Sequence, residues 1–411
     1  MTLQTHGKFK SSDRTLIIRN ISNILVSSIC RRLLKNITYG NISFNLPDGS
    51  IITSDSKNSG PHISIQINNP RSIKQLLVGG GIGFSESYMD GDWDCSDLPK
   101  LIEILALNGE SLAKRLQAFP PLLMANKLLH RLRANSKKGS LSNIGYHYDL
   151  GNEFYQKWLD ERMLYSSAIY ASEVDDLEEA QTRKLNRILQ LLNLRDGDYV
   201  LEIGCGWGGL ALYLAEKHNI FLEGITLSKE QLSYAKSITR QLNSSSLISL
   251  SLTDYRDVHK MYDRVVSVEM IEAVGEEYLT EYFNKIKECL KPGGTAVIQA
   301  ITIDEDRFDR YKRSPDFIQK HIFPGGFLTT KTMMHDLAKN SKLDLCHVEC
   351  FGESYARTLH QWRTNFLSNW PEIHKMGYDI KFKRMWDYYL AYCEGGFKAK
   401  SIDVGLYVFR A

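Results

Sequence analysis

From Tyr199 onward, short apolar runs alternate with segments whose apolar residues recur at helical spacing, the pattern of an α/β sheet built by crossover helices. The runs 199–203, Phe221–Thr226, Leu247–Leu252, Arg264–Met270 and Thr295–Ile301 read as strands. Helical spacing follows the first run to about His218, starts again at Ser228, and returns from about 277 to Leu290. Lys291-Pro-Gly-Gly294 predicts a turn, and Asp254-Tyr255 closes the third strand. Two late runs, 344–351 and 402–409, complete a seven-stranded sheet whose last strand is antiparallel. The expected fold is therefore α/β, a Rossmann-like seven-stranded sheet with a smaller α+β domain in front.

That front part patterns differently. Residues 14–36 carry apolar residues at helical spacing with Arg19, Arg31, Arg32 and Lys35 among them. Two readings stay open: a helix docked on its own domain with solvated basic residues, or contact with an anionic lipid surface. Ile42 and Phe44 alternate before a Pro47-Asp48-Gly49 turn, and Ile63, Ile65 and Ile67 alternate after it. A helical segment near 71–78 leads into Gly79-Gly-Gly81 and the stretch 83–93, with nothing that reads as chemistry. Residues 111–148 hold seven Lys/Arg, no acid, and interleaved leucines. This is a basic amphipathic helix running into a polar linker, suited equally to an interdomain role and to a membrane surface.

Charge sharpens the division. Residues 1–145 carry 18 Lys+Arg against 10 Asp+Glu, although the whole chain of 411 residues is only +3. A basic front on an acidic body points to an anionic partner surface, either membrane or nucleic acid. Few aromatics are interleaved with the basic residues, which argues against nucleic acid. The seven cysteines are scattered and odd in number, as expected of a reducing cytosol rather than a disulfide framework. Cys346-His-Val-Glu-Cys350 has metal-like spacing but lacks a second ligand pair, so no metal is expected. No apolar run reaches the ~18 residues that span a bilayer, and no signal-peptide pattern is present, so a cytoplasmic protein is expected.

Candidate chemistry begins at Tyr199-Val-Leu-Glu-Ile-Gly-Cys-Gly-Trp-Gly-Gly209, a strand, a glycine turn and a helix start. Such a corner lets a nucleotide-like ligand approach bare backbone. Its glycine spacing differs from the dinucleotide pattern, and Glu202 lies inside the strand, where it would repel a pyrophosphate. A carboxylate there suits the ammonium of a methionine moiety, which implies S-adenosylmethionine.

The motifs Ser142-Asn-Ile-Gly-Tyr-His-Tyr-Asp-Leu-Gly-Asn152, Met163-Leu-Tyr-Ser-Ser-Ala168, Thr226-Leu-Ser-Lys-Glu-Gln231, Asp254-Tyr-Arg-Asp257, Glu269-Met-Ile-Glu-Ala-Val-Gly275, Ile322-Phe-Pro-Gly325, Tyr355-Ala-Arg-Thr-Leu359 and Tyr388-Tyr-Leu-Ala-Tyr-Cys-Glu-Gly-Gly-Phe397 extend the picture. Over roughly residues 140–411 the chain resembles cyclopropane-fatty-acyl-phospholipid synthases and the mycolic acid cyclopropane synthases, S-adenosylmethionine-dependent methyltransferases. The resemblance implies a catalytic domain over 140–411 and a lipid-associated domain with linker helix over 1–135. It implies cofactor contacts from Tyr165, Ser166, Glu202, Gly204, Cys205, Gly206, Gly208, Gly209, Thr226, Leu227, Ser228 and Gln231. Asp254 and Tyr255 belong at the adenine, although a core aromatic would also explain Tyr255. His147 and Tyr148 would shape the cofactor lid.

The implied reaction adds a carbon to the double bond of an unsaturated acyl chain of a membrane phospholipid. The π bond attacks the sulfonium methyl, a cation forms, and a base removes a proton to close a cyclopropane. In this family the base is understood to be a bicarbonate ion, and its cage maps to Ser167, Glu272, Gln299, the Ile301 amide and Tyr355. Ser167 and Gln299 replace the usual Cys and His, and Ala273 replaces a His, so the site lacks a switchable cation. A different site of proton loss leads instead to a methylene- or methyl-branched acid. Cys393 matches a cysteine proposed as catalytic in relatives, but no step needs a thiolate and a structural role is preferred. His321 and His360 read as structural, while Trp362, Trp370 and Trp386 either line an acyl tunnel or simply pack. Membrane association at the cytoplasmic face is expected from the basic front, and a homodimer by the resemblance alone. The competing readings are a nucleic-acid-binding methyltransferase and a catalytically degenerate lipid- or cofactor-binding protein.

Overall fold

Alternating apolar positions become paired strands in both parts of the chain. The computed structural model describes residues 26–109, 112, 135, 137, 139–140, 150–240 and 248–411. Residues 14–25, most of the basic stretch 111–148 with His147 and Tyr148, and Leu247 lie outside the described residues. The chain forms two units, Met1–Leu122 and Leu123–Ala411.

In the first unit, β1 (Tyr39–Asn45), β2 (Ile51–Thr53), β3 (Asn58–Ile67) and β4 (Trp93–Cys95) form one sheet in the order β2-β1-β3-β4. Ile42, Phe44, Ile63, Ile65 and Ile67 are all buried, as their alternation predicts. The helix expected near 71–78 instead runs from Arg71 to Met89 as α1, kinked where Gly80 adopts a left-handed φ of 58°. A shorter helix, α2 (Leu98–Leu107), follows, with Asp97 capping its first turn.

In the second unit, α3 (Leu177–Leu192) precedes the sheet. Then come β5 (Tyr199–Ile203), α4 (Gly209–Lys217), β6 (Phe221–Thr226), α5 (Lys229–Thr239), β7 (Ile248–Leu252), β8 (Tyr262–Val268), α6 (Leu279–Cys289) and β9 (Leu290–Ile303). The unit ends with α7 (Lys331–Asn340), β10 (Asp344–Cys350), α8 (Gly352–Ser368), α9 (Ile380–Lys398) and β11 (Ile402–Arg410). The seven strands pair in the order β10-β11-β9-β8-β5-β6-β7. β11 is antiparallel to both of its neighbours, and the remaining pairs are parallel. Lys291-Pro-Gly-Gly294 is not a free turn. It lies within β9 as an irregularity, where Tyr262 pairs with Leu290 but Arg264 pairs with Thr295.

Period-two geometry divides the core between the two faces of this sheet. Leu201, Val265 and Ile298 join one cluster, while their chain neighbours Val200, Val266 and Val297 join the other. Each fully buried aliphatic of this kind contributes about 1.5–3 kcal/mol, so both faces must stay covered by helices. From β5 the chain goes first to β6 and β7 on one side, then to β8 and β9 on the other. The crevice at the carboxyl ends of β5 and β8 is the switch point where open α/β sheets bind ligands.

Candidate active site

One wall of the crevice is the glycine corner after β5. Gly204 N and Cys205 N both donate to Ile225 O at 2.9 Å, and Gly208 N donates to Cys205 O at 2.8 Å. Gly204 has a φ of 82°, and a Cβ there would lie 2.9 Å from Met270 Cγ. Glycine is therefore required by conformation and by space. Gly206 and Gly208 are also left-handed, and Gly209 opens α4. Glu202, 3% exposed, leaves one carboxylate oxygen without a partner among the described residues. Burial raises its pKa to about 8, with Lys184 acting in the opposite direction.

Behind the corner, α5 starts with Ser228 accepting from Gln231 N at 3.2 Å, while Thr226 Oγ1 bonds Gln231 Oε1 at 3.0 Å. Thr226, Ser228 and Gln231 are buried together, with Leu227 half-buried beside them. Both oxygens of Asp254 hold the Arg256 guanidinium, at 2.8 and 2.7 Å, which fixes the orientation of the carboxylate. Tyr255 is buried with its ring against Tyr282 at 5.4 Å, and its hydroxyl has no partner among the described residues.

The opposite wall is the loop 160–168, which α3 supports from beneath. Asp160 accepts from Arg162 N and Leu164 N at 3.0 and 2.8 Å. Gln181 Nε2 donates to the carbonyls of Leu164 and Ser166, and Lys184 Nζ donates to Ser166 Oγ at 2.7 Å. Lys184 is 1% exposed, and burial lowers its pKa to about 8. Sequence reading passed over it, although a lysine on the apolar stripe Leu177, Ala180, Leu185, Ile188 was a visible anomaly. Tyr165 OH pairs with Tyr389 OH at 2.6 Å, inside an enclosure of Tyr155, Trp158, Trp362 and Phe323. Trp362 and Trp386 are buried in this aromatic group, whereas Trp370 packs apart from it on Phe366 and His374.

At the end of β8 the expected anion cage comes together, but around a residue the sequence reading did not assign. Ser167 N donates to Glu269 Oε1 at 2.8 Å, Gln299 Nε2 to the same oxygen at 2.7 Å, and Tyr355 OH to Glu269 Oε2 at 2.5 Å. The Ser167 hydroxyl turns away to the Ala168 carbonyl. The Ile301 amide donates to Glu272 Oε1 at 2.6 Å, while Glu272 Oε2 is removed from water without a partner among the described residues. Removal from water, together with the charge of Glu269, raises the Glu272 pKa to about 8. Burial also raises Glu269, but the Tyr355, Ser167 and Gln299 donors pull it back. The available signal was a pair of acids spaced Glu-x-x-Glu directly after a strand.

Cys393 is partly buried, and desolvation with the Asp316 and Glu269 carboxylates pushes its thiol far up. His360 bonds Glu394 at 3.2 Å, and the His321 ring is tilted against Phe317 at 5.3 Å. His347 bonds Glu349, which also holds Arg187, and among the described residues no group could hold a metal.

The model of the family described as mycolic acid cyclopropane synthetase matches residues 135–406. The tuberculostearic acid methyltransferase of Mycobacterium tuberculosis is 35% identical over 83% of this chain and 82% of its own. The cyclopropane-fatty-acyl-phospholipid synthase of Escherichia coli is 36% identical over 86% of this chain and 89% of its own. The solved mycolic acid cyclopropane synthase CmaA1, complexed with SAH and CTAB, superposes with a TM-score of 0.62. That pair shares 26% identity over 66% of this chain and 98% of the solved one. A family match across the whole crevice, joined to relatives similar over most of their length, leaves one assignment: the chain belongs to the mycolic acid cyclopropane synthetase family.

Proposed function

We propose that the protein transfers a methylene carbon from S-adenosylmethionine to the double bond of an unsaturated acyl chain of a membrane phospholipid, giving a cyclopropane. The observation that carries this reading is the pairing, across one crevice, of a glycine corner holding a buried carboxylate with an unpartnered oxygen and an aromatic enclosure without an activated nucleophile. Glu202 fits the ammonium of the donor, because a cation would satisfy its free oxygen and restore its charge. Gly204, Cys205, Gly206, Gly208 and Gly209 would seat the methionine backbone, and Tyr165 and Ser166 would hold it from the opposite loop. Gln231 would take the ribose hydroxyls and Tyr255 the adenine face, with Asp254 at the adenine edge, its carboxylate oriented by Arg256. The donor supplies an electrophilic methyl. The chain's own part is to align an alkene against it, exclude water and accept a proton. Tyr155, Trp158, Tyr165 and Trp362 provide rings around the reacting region whose faces can stabilise a carbocation.

Incubation with unsaturated phospholipid vesicles, followed by gas chromatography–mass spectrometry of the fatty esters, tests the proposal. Loss of the alkene with a ring product is expected; unchanged lipid would overturn it.

A methylene-branched product is the second reading, and the three donors on Glu269 favour it. Donors weaken a carboxylate as a base, so the cation lives longer and a 1,2-hydride shift can precede proton loss from the new methyl. The same chromatogram separates an exocyclic methylene from a ring. Bicarbonate, the base implied by the resemblance, would need donors that here already bind Glu269 and Glu272.

The basic front supports docking of residues 1–135 on an anionic, cytoplasmic membrane face, with 140–411 as the catalytic domain. Among the described residues no helix is long and apolar enough to cross a membrane. Co-sedimentation with anionic vesicles but no gel shift with RNA is expected, and binding to RNA alone would overturn the docking. A homodimer, expected from relatives, is tested by the mass of the protein in solution.

A further inference from the structure

We infer that Glu269 itself accepts the proton of the alkylation, so that a carboxylate of the chain does the work of a diffusible anion and the enzyme runs without bicarbonate. The inference rests on the alkene-alkylation reading above and specifies its base.

Four features lead there. First, donors from three separate elements converge on this carboxylate: the 160–168 loop, β9 and α8. Convergent donors of this kind ordinarily enclose a free anion. Second, Glu269 holds a φ of 49°, a left-handed conformation that costs a residue with a Cβ about 1 kcal/mol or more. The backbone there, with Glu269 N donating to Gln299 O at 2.9 Å, has the shape glycine would adopt, yet it carries a side chain that fills the cage. Third, Glu272 stands beside it with an unpartnered oxygen out of water. Two neighbouring carboxylates in a low-dielectric site divide their protons unequally. Glu272, with one amide donor, keeps its proton, and Glu269, with three donors, remains the ionised member. Fourth, the other candidate bases are unsuitable. Tyr355 already donates to Glu269, Cys393 is held as a thiol, and the cage contains Gln299, an amide that cannot act as a base.

The step balances. The alkene π pair forms the new carbon–carbon bond as the sulfonium C–S pair leaves on sulfur. Glu269 takes a proton from the transferred methyl, and that C–H pair closes the ring or, after a hydride shift, forms the exocyclic double bond. The proton then passes to solvent, so one turnover needs no further reactant.

The experiment uses the full chain, the Glu269→Gly and Glu269→Gln variants, and buffers purged of carbon dioxide or supplemented with bicarbonate. Glycine suits the left-handed backbone and leaves the three donors facing an open anion site; glutamine fills it with a neutral amide. The wild type is expected to turn over equally in both buffers. Both variants should lose about 100-fold or more, the usual contribution of a positioned base. Added bicarbonate should restore part of the Glu269→Gly rate and none of the Glu269→Gln rate, with thermal melts confirming folded variants. Line broadening of carbon-13 bicarbonate adds a readout independent of turnover, expected with Glu269→Gly and absent with wild type. A wild type that needs bicarbonate or broadens its signal would overturn the inference, as would a Glu269→Gly variant fully active without it. Wild type that alkylates no lipid in either buffer would refute the functional reading instead, leaving the bicarbonate signal to decide who occupies the cage.

Discussion

Two buried carboxylates close neighbouring strands of this sheet, and their hydrogen bonding differs although the buried Lys184 ammonium acts on both. Glu202, in β5, keeps one oxygen without a partner among the described residues. Glu269, after β8, has both oxygens taken by neutral donors. A buried acid with an unpartnered oxygen is prepared to receive a cationic ligand. A fully hydrogen-bonded acid is prepared to stay ionised and in place. On the proposed reading, similar chemistry at adjacent strand ends separates into cofactor binding and proton transfer.

Apart from the Glu269 variants, the largest effect should come from removing the buried cation that reaches both sides. Lys184→Met takes the counter-charge from Asp160 and Glu269 and leaves Ser166 without its donor. A loss of about 3 kcal/mol is expected, read from urea unfolding. Unchanged stability would mean that the buried carboxylates do not depend on the Lys184 charge. Glu202→Gln should weaken S-adenosylhomocysteine binding by about 10- to 100-fold in calorimetry, as expected for loss of a charge-assisted hydrogen bond. An unaltered affinity would remove Glu202 from the cofactor site.

The pH dependence sharpens the same contrast. With a pKa of about 8 in the free protein, Glu202 is protonated at neutral pH and must lose its proton when a cation arrives. Affinity for the donor should therefore rise with pH and level off above about 8, with proton release on binding at pH 7. On the Glu269 side, Tyr355→Phe removes a donor, which should raise the carboxylate's pKa and move the acidic limb of the rate profile upward. The accompanying fall in kcat is about 10-fold. An unmoved limb would mean that Glu269 does not titrate in the rate.

Smaller again is the effect of Glu272→Gln on stability. Folding raises the Glu272 pKa from 4.5 to about 8, so its stabilising contribution is complete below 4.5 and lost as pH climbs through 8. The glutamine variant should melt progressively above wild type between pH 6 and 9. Cys393→Ser should change kcat by less than about 2-fold, because a thiol held protonated contributes no nucleophile.

How much of this was legible differs along the crevice. The corner from Tyr199 to Gly209 is contiguous, so a buried strand, left-handed glycines and a helix start could be read from neighbouring residues. Strand–helix alternation predicted the sheet for the same reason, with errors where tertiary pairing overrode a local signal. Lys291-Pro-Gly-Gly294 was absorbed into β9, and Gly79-Gly-Gly81 only kinked α1. That Arg256, two residues on, folds back onto the Asp254 carboxylate could not be read from the chain.

The order of strands, the glycine corner, the carboxylate inside it and the family resemblance were determined by the amino-acid sequence, because each depends on residues close in the chain. The occupant of the anion cage was decided by the tertiary structure. Its donors stand 102, 30 and 86 positions from Glu269, and the burial that divides the protons of Glu269 and Glu272 exists only once β8, β9, α8 and the 160–168 loop have packed together. Charge and solvation are properties of that assembled space, and no linear pattern records them.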